Sequence, residues 1–197
     1  GRDMAGIRID KMLSDSGIAS RREALRLIKQ GCVTVNGALV KSPSEKFAVD
    51  ALIAVNGVKV VYTRFHYLIM NKPAGYVSAT EDKHEKTVLD LMQERYRKMD
   101  LSPAGRLDKD AEGLLLLTDD GEFLHSIISP RKRIDKTYFV RVDGTLQESD
   151  CTAFASGVLL SDGYRCLPGK LEIIQSGHCD SGYVTIHEGK YHQVKRM

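Results

Sequence analysis

The stretch that decides the fold is GRLDKDAEGLLLLTDDG, residues 105–121 of a 197-residue sequence. Its centre, Leu114–Leu117, is a continuous apolar run, which predicts a strand covered on both faces. A polar loop bounded by glycines precedes this run, and Asp119-Asp120-Gly121 follows it as a tight turn or a helix cap. The stretch therefore predicts a polar loop that a buried strand holds in place.

Asp108 is the candidate functional residue of this loop, because a loop beside a rigid strand is both exposed and fixed. It lies between Arg106 and Lys109, whose positive charges favour the ionised form of the carboxylate. An ionised carboxylate can act as a nucleophile or as a base. The alternative is a turn aspartate bonded to its own backbone, and the local pattern alone favours that alternative.

The flanking sequence predicts alternating strands and helices. Tyr67–Met70 is predicted to be a buried strand, and Thr87 is predicted to cap a helix that runs to about Tyr96. Lys136–Val142 alternates between polar and apolar residues as a strand does. Tyr138, within that strand, either stacks on a nucleic-acid base or is a half-buried strand residue, and the pattern does not decide between them.

The N-terminal third combines helices with a basic surface. The pattern predicts a short helix near Ile9, then a second helix from Arg21 to about Gln30 that begins with a Ser20–Glu23 capping box. Asn36-Gly37 predicts a hairpin turn between two short strands. Residues 1–62 hold 10 basic and 6 acidic residues, whereas the remainder holds 19 and 20, so this third is expected to bind a polyanion.

Composition excludes several classes of protein. An apolar fraction of 42% and a charged fraction of 28% are typical of a protein with a core, and no apolar run approaches the ~20 residues of a membrane span. No signal peptide opens the sequence, so a cytoplasmic protein without a membrane partner is expected. The cysteines contain no C-x-x-C pair and are expected to be reduced: Cys32, Cys151, Cys166 and Cys179.

Three N-terminal segments carry a resemblance to a known RNA-binding domain. They are RxDKxL at residues 8–13, SRREA at 20–24 and GxVxVNG at 31–37. Together they resemble the ribosomal-protein S-four type of domain over about residues 7–60. The resemblance implies contact with structured RNA through basic residues of this region, namely Arg8, Lys11, Arg21, Arg22, Arg26 and Lys29.

Four later segments carry a second resemblance. They are NKPxGYVS at residues 71–78, GRLD at 105–108, KTY at 136–138 and EGKYHQVKRM at 188–197. Behind an RNA-binding domain of this kind, they are similar to the RsuA family of ribosomal RNA pseudouridine synthases. This resemblance covers nearly the whole chain, and it favours the functional interpretation of both Asp108 and Tyr138.

The resemblance implies a role for each matching residue. Asp108 matches the catalytic aspartate, Tyr138 the tyrosine that stacks on uracil, and Lys195 the basic residue that pairs with the aspartate. Arg196 is an alternative for that last role. Substrate binding is expected from Arg106, Arg196 and Lys136.

The implied reaction converts uridine to its carbon-linked isomer. The target must leave the RNA stack, which costs a few kcal/mol that Tyr138 and basic contacts can offset. Asp108 then either attacks the uracil ring or abstracts a sugar proton to give a glycal, and the sequence leaves both routes open. Neither route needs a metal, nucleotide or redox cofactor, so none is expected.

These observations predict an α+β protein with two domains. A small RNA-binding domain is expected over residues 7–62, a connector over 63–66, and over 67–197 a catalytic domain with a mixed, largely antiparallel sheet flanked by helices. Members of the family usually continue past Lys195-Arg196-Met197, so the sequence is expected to stop within the catalytic domain.

The predicted substrate is ribosomal RNA of the small subunit, and the protein is predicted to be a monomer. Large-subunit rRNA is an alternative, because a related family branch shares the motifs. Two other classes remain: a noncatalytic RNA-binding or ribosome-assembly protein, and a magnesium-dependent hydrolase. The hydrolase would use four carboxylates as ligands, Asp108, Asp110, Asp119 and Asp120.

Overall fold

The computed structural model describes residues 6–175 and 179–197. The spatial contacts between residues divide the chain into two compact units, one up to Leu124 and the other from His125 to Met197. Each unit combines helices with antiparallel strands, which confirms the predicted α+β class. The predicted domain boundaries at residues 62 and 67 rest on motifs rather than contacts and stay predictions.

Two helices open the first unit, α1 (Ile9–Asp15) and α2 (Arg21–Lys29). The predicted capping box is present at the start of α2. The Glu23 amide donates to Ser20 Oγ at 3.2 Å, and the Ser20 amide donates to the Glu23 carboxylate at 2.7 Å. Gly17, between the helices, has a φ of +69°, which a residue with a side chain adopts only at a cost.

Short strands complete the N-terminal part of this unit. Strand β1 (Ile7–Arg8) pairs with β4 (Lys46–Phe47). A four-stranded sheet has the order β3-β2-β5-β6. Its strands are β2 (Val33–Val35), β3 (Ala38–Leu39), β5 (Ile53–Val55) and β6 (Val58–Val60). Asn36 and Gly37, with φ of 51° and 80°, form the predicted hairpin turn, and Ile9, Leu13 and Ile28 are buried in the core.

A three-stranded sheet forms the rest of the first unit. Its order is β7-β9-β8, from β7 (Tyr67–Lys72), β8 (Ser102–Pro103) and β9 (Gly113–Thr118). Both pairings are antiparallel, with Lys72 opposite Gly113 and Tyr67 opposite Thr118. This register places the end of β7 beside the start of β9, where the loop that carries Asp108 arrives.

Two expectations for this region are wrong. The β7 and β9 strands are covered on one face only: Ile69 is 75% and Leu114 is 74% exposed, whereas Leu115 and Leu117 are buried. The predicted helix from Thr87 to Tyr96 is broken into a 3-10 turn (Val88–Leu91) and a short helix α3 (Glu94–Arg97). The break falls at residue 92, which has extended backbone with a ψ of 152°.

The second unit is built on an antiparallel sheet with the order β10-β12-β11. Helix α4 (Gly121–Ile128) contains the division between the units, and a 3-10 turn (Pro130–Lys132) follows it. The remaining elements are β10 (Lys136–Val142), α5 (Glu148–Ser156), β11 (Lys170–Gln175), β12 (Asp180–Ile186) and α6 (Gln193–Arg196). Helix α5 packs on this sheet through Phe154, against Leu171 and Val184.

Two further features bear on the sequence expectations. All four cysteines are free thiols. Among the described residues, no helix is both long and apolar enough to span a bilayer.

Candidate active site

One buried lysine, Lys72, holds the loop that carries Asp108 through hydrogen bonds. The Lys72 side chain, at the end of β7, is fully buried. Its Nζ donates to the backbone carbonyl oxygens of Pro73 (3.0 Å), Asp108 (3.2 Å), Lys109 (3.2 Å) and Ala111 (2.8 Å). A single cation therefore binds the carbonyl groups of the candidate catalytic residue and of two residues that follow it, together with that of Pro73.

The charge state of Lys72 reflects two opposing effects. Burial lowers the pKa of its ammonium group, since the charged form loses its water shell. The carboxylates of Asp110, Asp108 and Glu112 oppose that change. The carbonyl oxygens around Nζ accept from the ammonium form, so the charge that is buried here is compensated by dipoles rather than by an ion pair.

A second fastening lies on the other side of Asp108. The buried Ser78 hydroxyl donates to the Leu107 carbonyl at 3.0 Å and accepts from the Leu107 amide at 3.1 Å. The Gly75 amide donates to the Lys109 carbonyl at 2.7 Å. The segment after β7 thus fixes the backbone immediately before and immediately after Asp108.

Asp108 is half-buried, and the Ala111 amide closes a turn onto its carbonyl at 3.0 Å. The two neighbouring cations behave differently. Lys109 pairs with Glu85 at 2.6 Å, whereas Arg106 is exposed. The arrangement provides a partly exposed aspartate on a backbone held by several hydrogen bonds, which suits a nucleophile or a base.

The second unit holds the other predicted site residues. Tyr138 lies on β10, is half-buried and packs against the core of that unit. Lys136, on the same strand, donates to the Ile134 carbonyl at 3.1 Å. Tyr138 is therefore a strand residue that packs on the core without being fully buried, so the two interpretations of the sequence do not exclude each other.

Helix α6 carries both candidate cations of the C-terminal motif, Lys195 and Arg196. Arg196 pairs with Asp162 and donates to the Tyr191 carbonyl at 3.1 Å. Lys195 is exposed. The guanidinium of Arg196 is thus engaged inside its own unit.

A hydrogen-bonded carboxylate anchors the segment before α6. Glu188 is buried and accepts from Tyr164 Oη (2.7 Å), the Leu167 amide (2.7 Å) and Gln193 Nε2 (2.8 Å). Burial by itself would raise the pKa of Glu188, but these hydrogen bonds outweigh it and lower that pKa. The same contact raises the pKa of Tyr164 to about 12.

The predicted RNA-binding residues fall into two groups. Arg8 pairs with Asp10 at 2.9 Å, and Lys11 pairs with Asp15 at 3.0 Å, so carboxylates next to them offset their charge. The others are exposed on α2, and no ion pair joins them to a carboxylate of the described residues: Arg21, Arg22, Arg26 and Lys29.

The four carboxylates of the magnesium alternative do not form one cluster. Asp108 and Asp110 precede β9, whereas Asp119 and Asp120 follow it, and a six-residue strand spans ~20 Å. Asp119 accepts from the amide and ring of His66 (2.7 and 2.8 Å), and Asp120 accepts from Tyr67 Oη at 2.6 Å. In the described parts of the chain, no group of three or more metal-ligating side chains is close enough to hold an ion.

Sequence reasoning found only part of what holds the loop. Lys72 and Ser78 both lie in the NKPxGYVS segment, and the family resemblance implies a mainly architectural role for Lys72, but the sequence does not reveal which atoms of the loop the two side chains contact. The Glu85–Lys109 pair joins positions 24 residues apart, which no local pattern reveals.

Comparison with known proteins places the chain in a family. Residues 66–197 match the RNA pseudouridylate synthase family, and residues 7–53 match the S4 domain. The chain therefore belongs to the RNA pseudouridylate synthase family, with an S4 domain before the synthase region. The fold and the class of enzyme expected from the sequence are confirmed.

Three relatives show which pseudouridine synthases the chain is similar to. The chain is 43% identical over 196 residues to the uncharacterized RNA pseudouridine synthase YtzG of Bacillus subtilis, which covers 97% of this chain and 81% of the relative. It is 39% identical to ribosomal small subunit pseudouridine synthase A of Vibrio cholerae (97% and 81% covered). It is 38% identical to ribosomal large subunit pseudouridine synthase B of Bacillus subtilis (96% and 78%).

A solved structure agrees with these relatives. The crystal structure of a pseudouridylate synthase superimposes with a TM-score of 0.62 at 35% identity, over 96% of this chain and 81% of that one. The resemblance to the RsuA type is confirmed, and the enzyme is a pseudouridine synthase, an isomerase.

Proposed function

We propose that this enzyme isomerises one specific uridine of ribosomal RNA, and that the RNA is that of the small subunit. The 39% identity to the small-subunit enzyme of Vibrio cholerae, over 97% of the chain, supports this target. The S4 domain match supports recognition of structured RNA. The isomerase class supports the reaction itself.

The observation that carries the proposal is the fixed loop around Asp108, which we assign as the catalytic carboxylate. A group that meets an extruded uracil must be reachable and must not drift, because small displacements of a reacting atom are costly to rate. Lys72 and Ser78 bond the backbone on both sides of Asp108, and Asp108 itself remains half-exposed.

The reaction rearranges uridine without changing its composition. The bond between N1 and the ribose C1′ breaks, the base rotates, and a bond forms between C5 and C1′. The C5 position loses a proton and N1 gains one, so atoms balance with no co-reactant. The Asp108 carboxylate begins this sequence by attacking the ring or by taking a proton from the sugar.

The remaining roles in the proposal follow the family motifs. Tyr138 stacks on the extruded uracil, and Lys195 pairs with the catalytic carboxylate. The engagement of Arg196 with Asp162 supports the choice of Lys195. Arg106 and Lys136 contact the substrate. On the S4 domain, the exposed cations of α2 are favoured over Arg8 and Lys11, whose charges are already paired.

The decisive experiment measures pseudouridine formation in transcribed rRNA fragments. The Asp108→Asn variant removes the negative charge at nearly constant shape and is expected to lower the rate by about 10²–10⁴-fold. Asp50→Asn is the control, an exposed aspartate that has no role in the proposal. Wild-type turnover by Asp108→Asn would contradict the assignment.

Large-subunit rRNA is the second candidate target, because the large-subunit enzyme of Bacillus subtilis is 38% identical over 194 residues. Small-subunit and large-subunit fragments are therefore offered in parallel, and modified positions are mapped in both. Conversion confined to the large-subunit fragment overturns the proposed target but leaves the proposed chemistry intact. Because the proposed substrate is rRNA, we also propose a cytoplasmic location. We further propose that the enzyme acts as a monomer, and light scattering tests this oligomeric state.

A further inference from the structure

An open cleft of about 410 Å³ lies in the first unit, between the start of α2 and helix α3. One wall comes from Ser20, Arg21 and Glu23, and the other from Glu94, Arg97 and Lys98. The first wall belongs to the region that matches the S4 domain, and the second to the region that matches the synthase family. No predicted site residue comes from the second wall.

Three contacts of different kinds fix the two walls against each other. The Ser14 hydroxyl donates to the Lys98 carbonyl at 2.7 Å. Across the cleft, the Lys98 ammonium lies 3.7 Å from the Glu23 carboxylate, whereas its 3.5 Å contact with the Glu94 carboxylate lies within the second wall. At Gly17 the backbones approach so closely that an added Cβ would lie 2.6 Å from the Arg95 carbonyl oxygen. The cleft is therefore a built feature of this unit.

Charges in the cleft are unevenly compensated. The two carboxylates are near the Lys98 ammonium, and Glu23 also accepts from the Ser20 amide at 2.7 Å, which lowers the pKa of Glu23 and keeps it ionised. Arg21 and Arg97 are exposed, and neither forms an ion pair within residues 6–175 and 179–197. Two guanidinium groups, one on each wall, thus have no ion-pair partner in the part of the chain that the structure describes.

The cleft continues a larger basic surface. On the α2 side, Arg22, Arg26 and Lys29 are exposed. On the α3 side, the exposed Arg95 lies over the Tyr96 ring at 4.4 Å. The cleft lining carries three cations, Arg21, Arg97 and Lys98, against the carboxylates of Glu23 and Glu94, so its net charge is positive and continues that of α2.

We propose that the cleft binds the phosphodiester backbone of the substrate RNA, with Arg97 of α3 as a phosphate contact opposite Arg21. Guanidinium groups suit this partner because their planar donors match two phosphate oxygens at once. The inference rests on the proposed function for the identity of the RNA. It adds that the synthase region itself contributes to RNA anchoring beside the S4 domain, so that one RNA segment is held by both regions.

The test measures binding of a labelled rRNA fragment over a series of salt concentrations. Arg97→Gln is expected to weaken binding roughly tenfold, the loss of one charge-assisted contact, and to lower the slope of log K against log[salt] by about one. Arg97→Lys retains the slope and loses part of the affinity. Arg141→Gln is the matched control, an exposed arginine on β10 of the second unit, and is expected to bind as the wild type does.

The two proposals fail in different ways. Arg97→Gln with wild-type affinity and salt slope overturns the cleft inference, whatever the enzyme modifies. Equal losses in Arg97→Gln and Arg141→Gln also overturn it, because the effect is then one of net charge. Binding that depends on Arg97, in a wild-type protein that converts no uridine, supports the cleft and contradicts the proposed function. Displacement of the RNA by polyglutamate, but not by phosphate-bearing competitors, would assign the cleft to an acidic peptide and overturn the inference.

Discussion

The ammonium group of Lys72 donates a hydrogen bond to the main-chain carbonyl of Asp108, across an Nζ–O distance of 3.2 Å. The lysine is fully buried, whereas the aspartate is half-exposed. Because the contact is to the backbone, it orders Asp108 without neutralising the side chain through a direct ion pair. A change at Lys72 therefore tests how the loop is held, and a change of the Asp108 side chain tests its chemistry separately.

Replacement of Lys72 by Met keeps the volume of the side chain and removes its donors. The Asp108 and Lys109 carbonyls retain the Ala111 and Gly75 amides as partners, but the remaining contacts to Nζ are lost. We expect a loss of about 2–5 kcal/mol in the free energy of unfolding, since buried carbonyl groups are left unpaired. Urea unfolding followed by circular dichroism measures it. A stability equal to the wild type would show that the ammonium does not hold the loop.

Ser78→Ala tests the second fastening. Both hydrogen bonds to Leu107 are lost, and we expect about 1–2 kcal/mol of destabilisation together with a roughly tenfold lower kcat for pseudouridine formation. Ser156→Ala is the control, since its hydroxyl donates a single bond to the Thr152 carbonyl on an exposed helix. A Ser78→Ala enzyme with unchanged kcat would mean that the Leu107 contacts do not position Asp108.

Elements governed by local rules were predictable from the sequence. The Ser20–Glu23 capping box and the Asn36-Gly37 turn depend on neighbouring residues only, and both formed as expected. The apolar run Leu114–Leu117 did not reveal how many of its faces are covered, because coverage depends on distant parts of the chain. The buried ammonium of Lys72 was equally hidden, since lysine is rarely buried and its partners are carbonyls that every residue carries.

The candidate site was predictable in part. Asp108 and Tyr138 came from motifs, and the resemblance rather than the local pattern decided in their favour. The clefts and pairings between distant segments, such as Glu85 with Lys109, arise only once the chain has folded. Sequence alone also could not show that Arg196 pairs with Asp162, because the two residues are 34 positions apart.

A pair of glycine variants tests the close approach between α1 and α3. Both Gly17 and Gly37 have positive φ, so Ala at either position costs about 1–2 kcal/mol of backbone strain. Around Gly37 there is nothing within 4 Å of an added Cβ, whereas at Gly17 the Arg95 carbonyl would be 2.6 Å away. We expect Gly17→Ala to lose about 1–3 kcal/mol more than Gly37→Ala in urea unfolding. Equal losses would contradict the fixed contact.

We expect Glu188 to make the free energy of unfolding depend on pH in the acid range. Its pKa in the folded protein is lowered from the ordinary value of 4.5, so the unfolded chain binds more protons in this range. The stabilising contribution is present above pH 4.5 and is lost as the pH falls through the lower, folded pKa. Unfolding free energies measured between pH 7 and roughly pH 3 should therefore decrease in the wild type.

Glu188→Gln removes the negative acceptor and so should flatten this pH dependence. At pH 7 we expect it to cost about 2–4 kcal/mol, because Tyr164 and the Leu167 amide lose a charged partner in a buried position. Glu172→Gln, an exposed carboxylate on β11 paired with Lys170, should leave both the stability at pH 7 and its acid dependence nearly unchanged. If the two variants show the same profile from pH 7 downward, general charge rather than the Glu188 network controls acid stability.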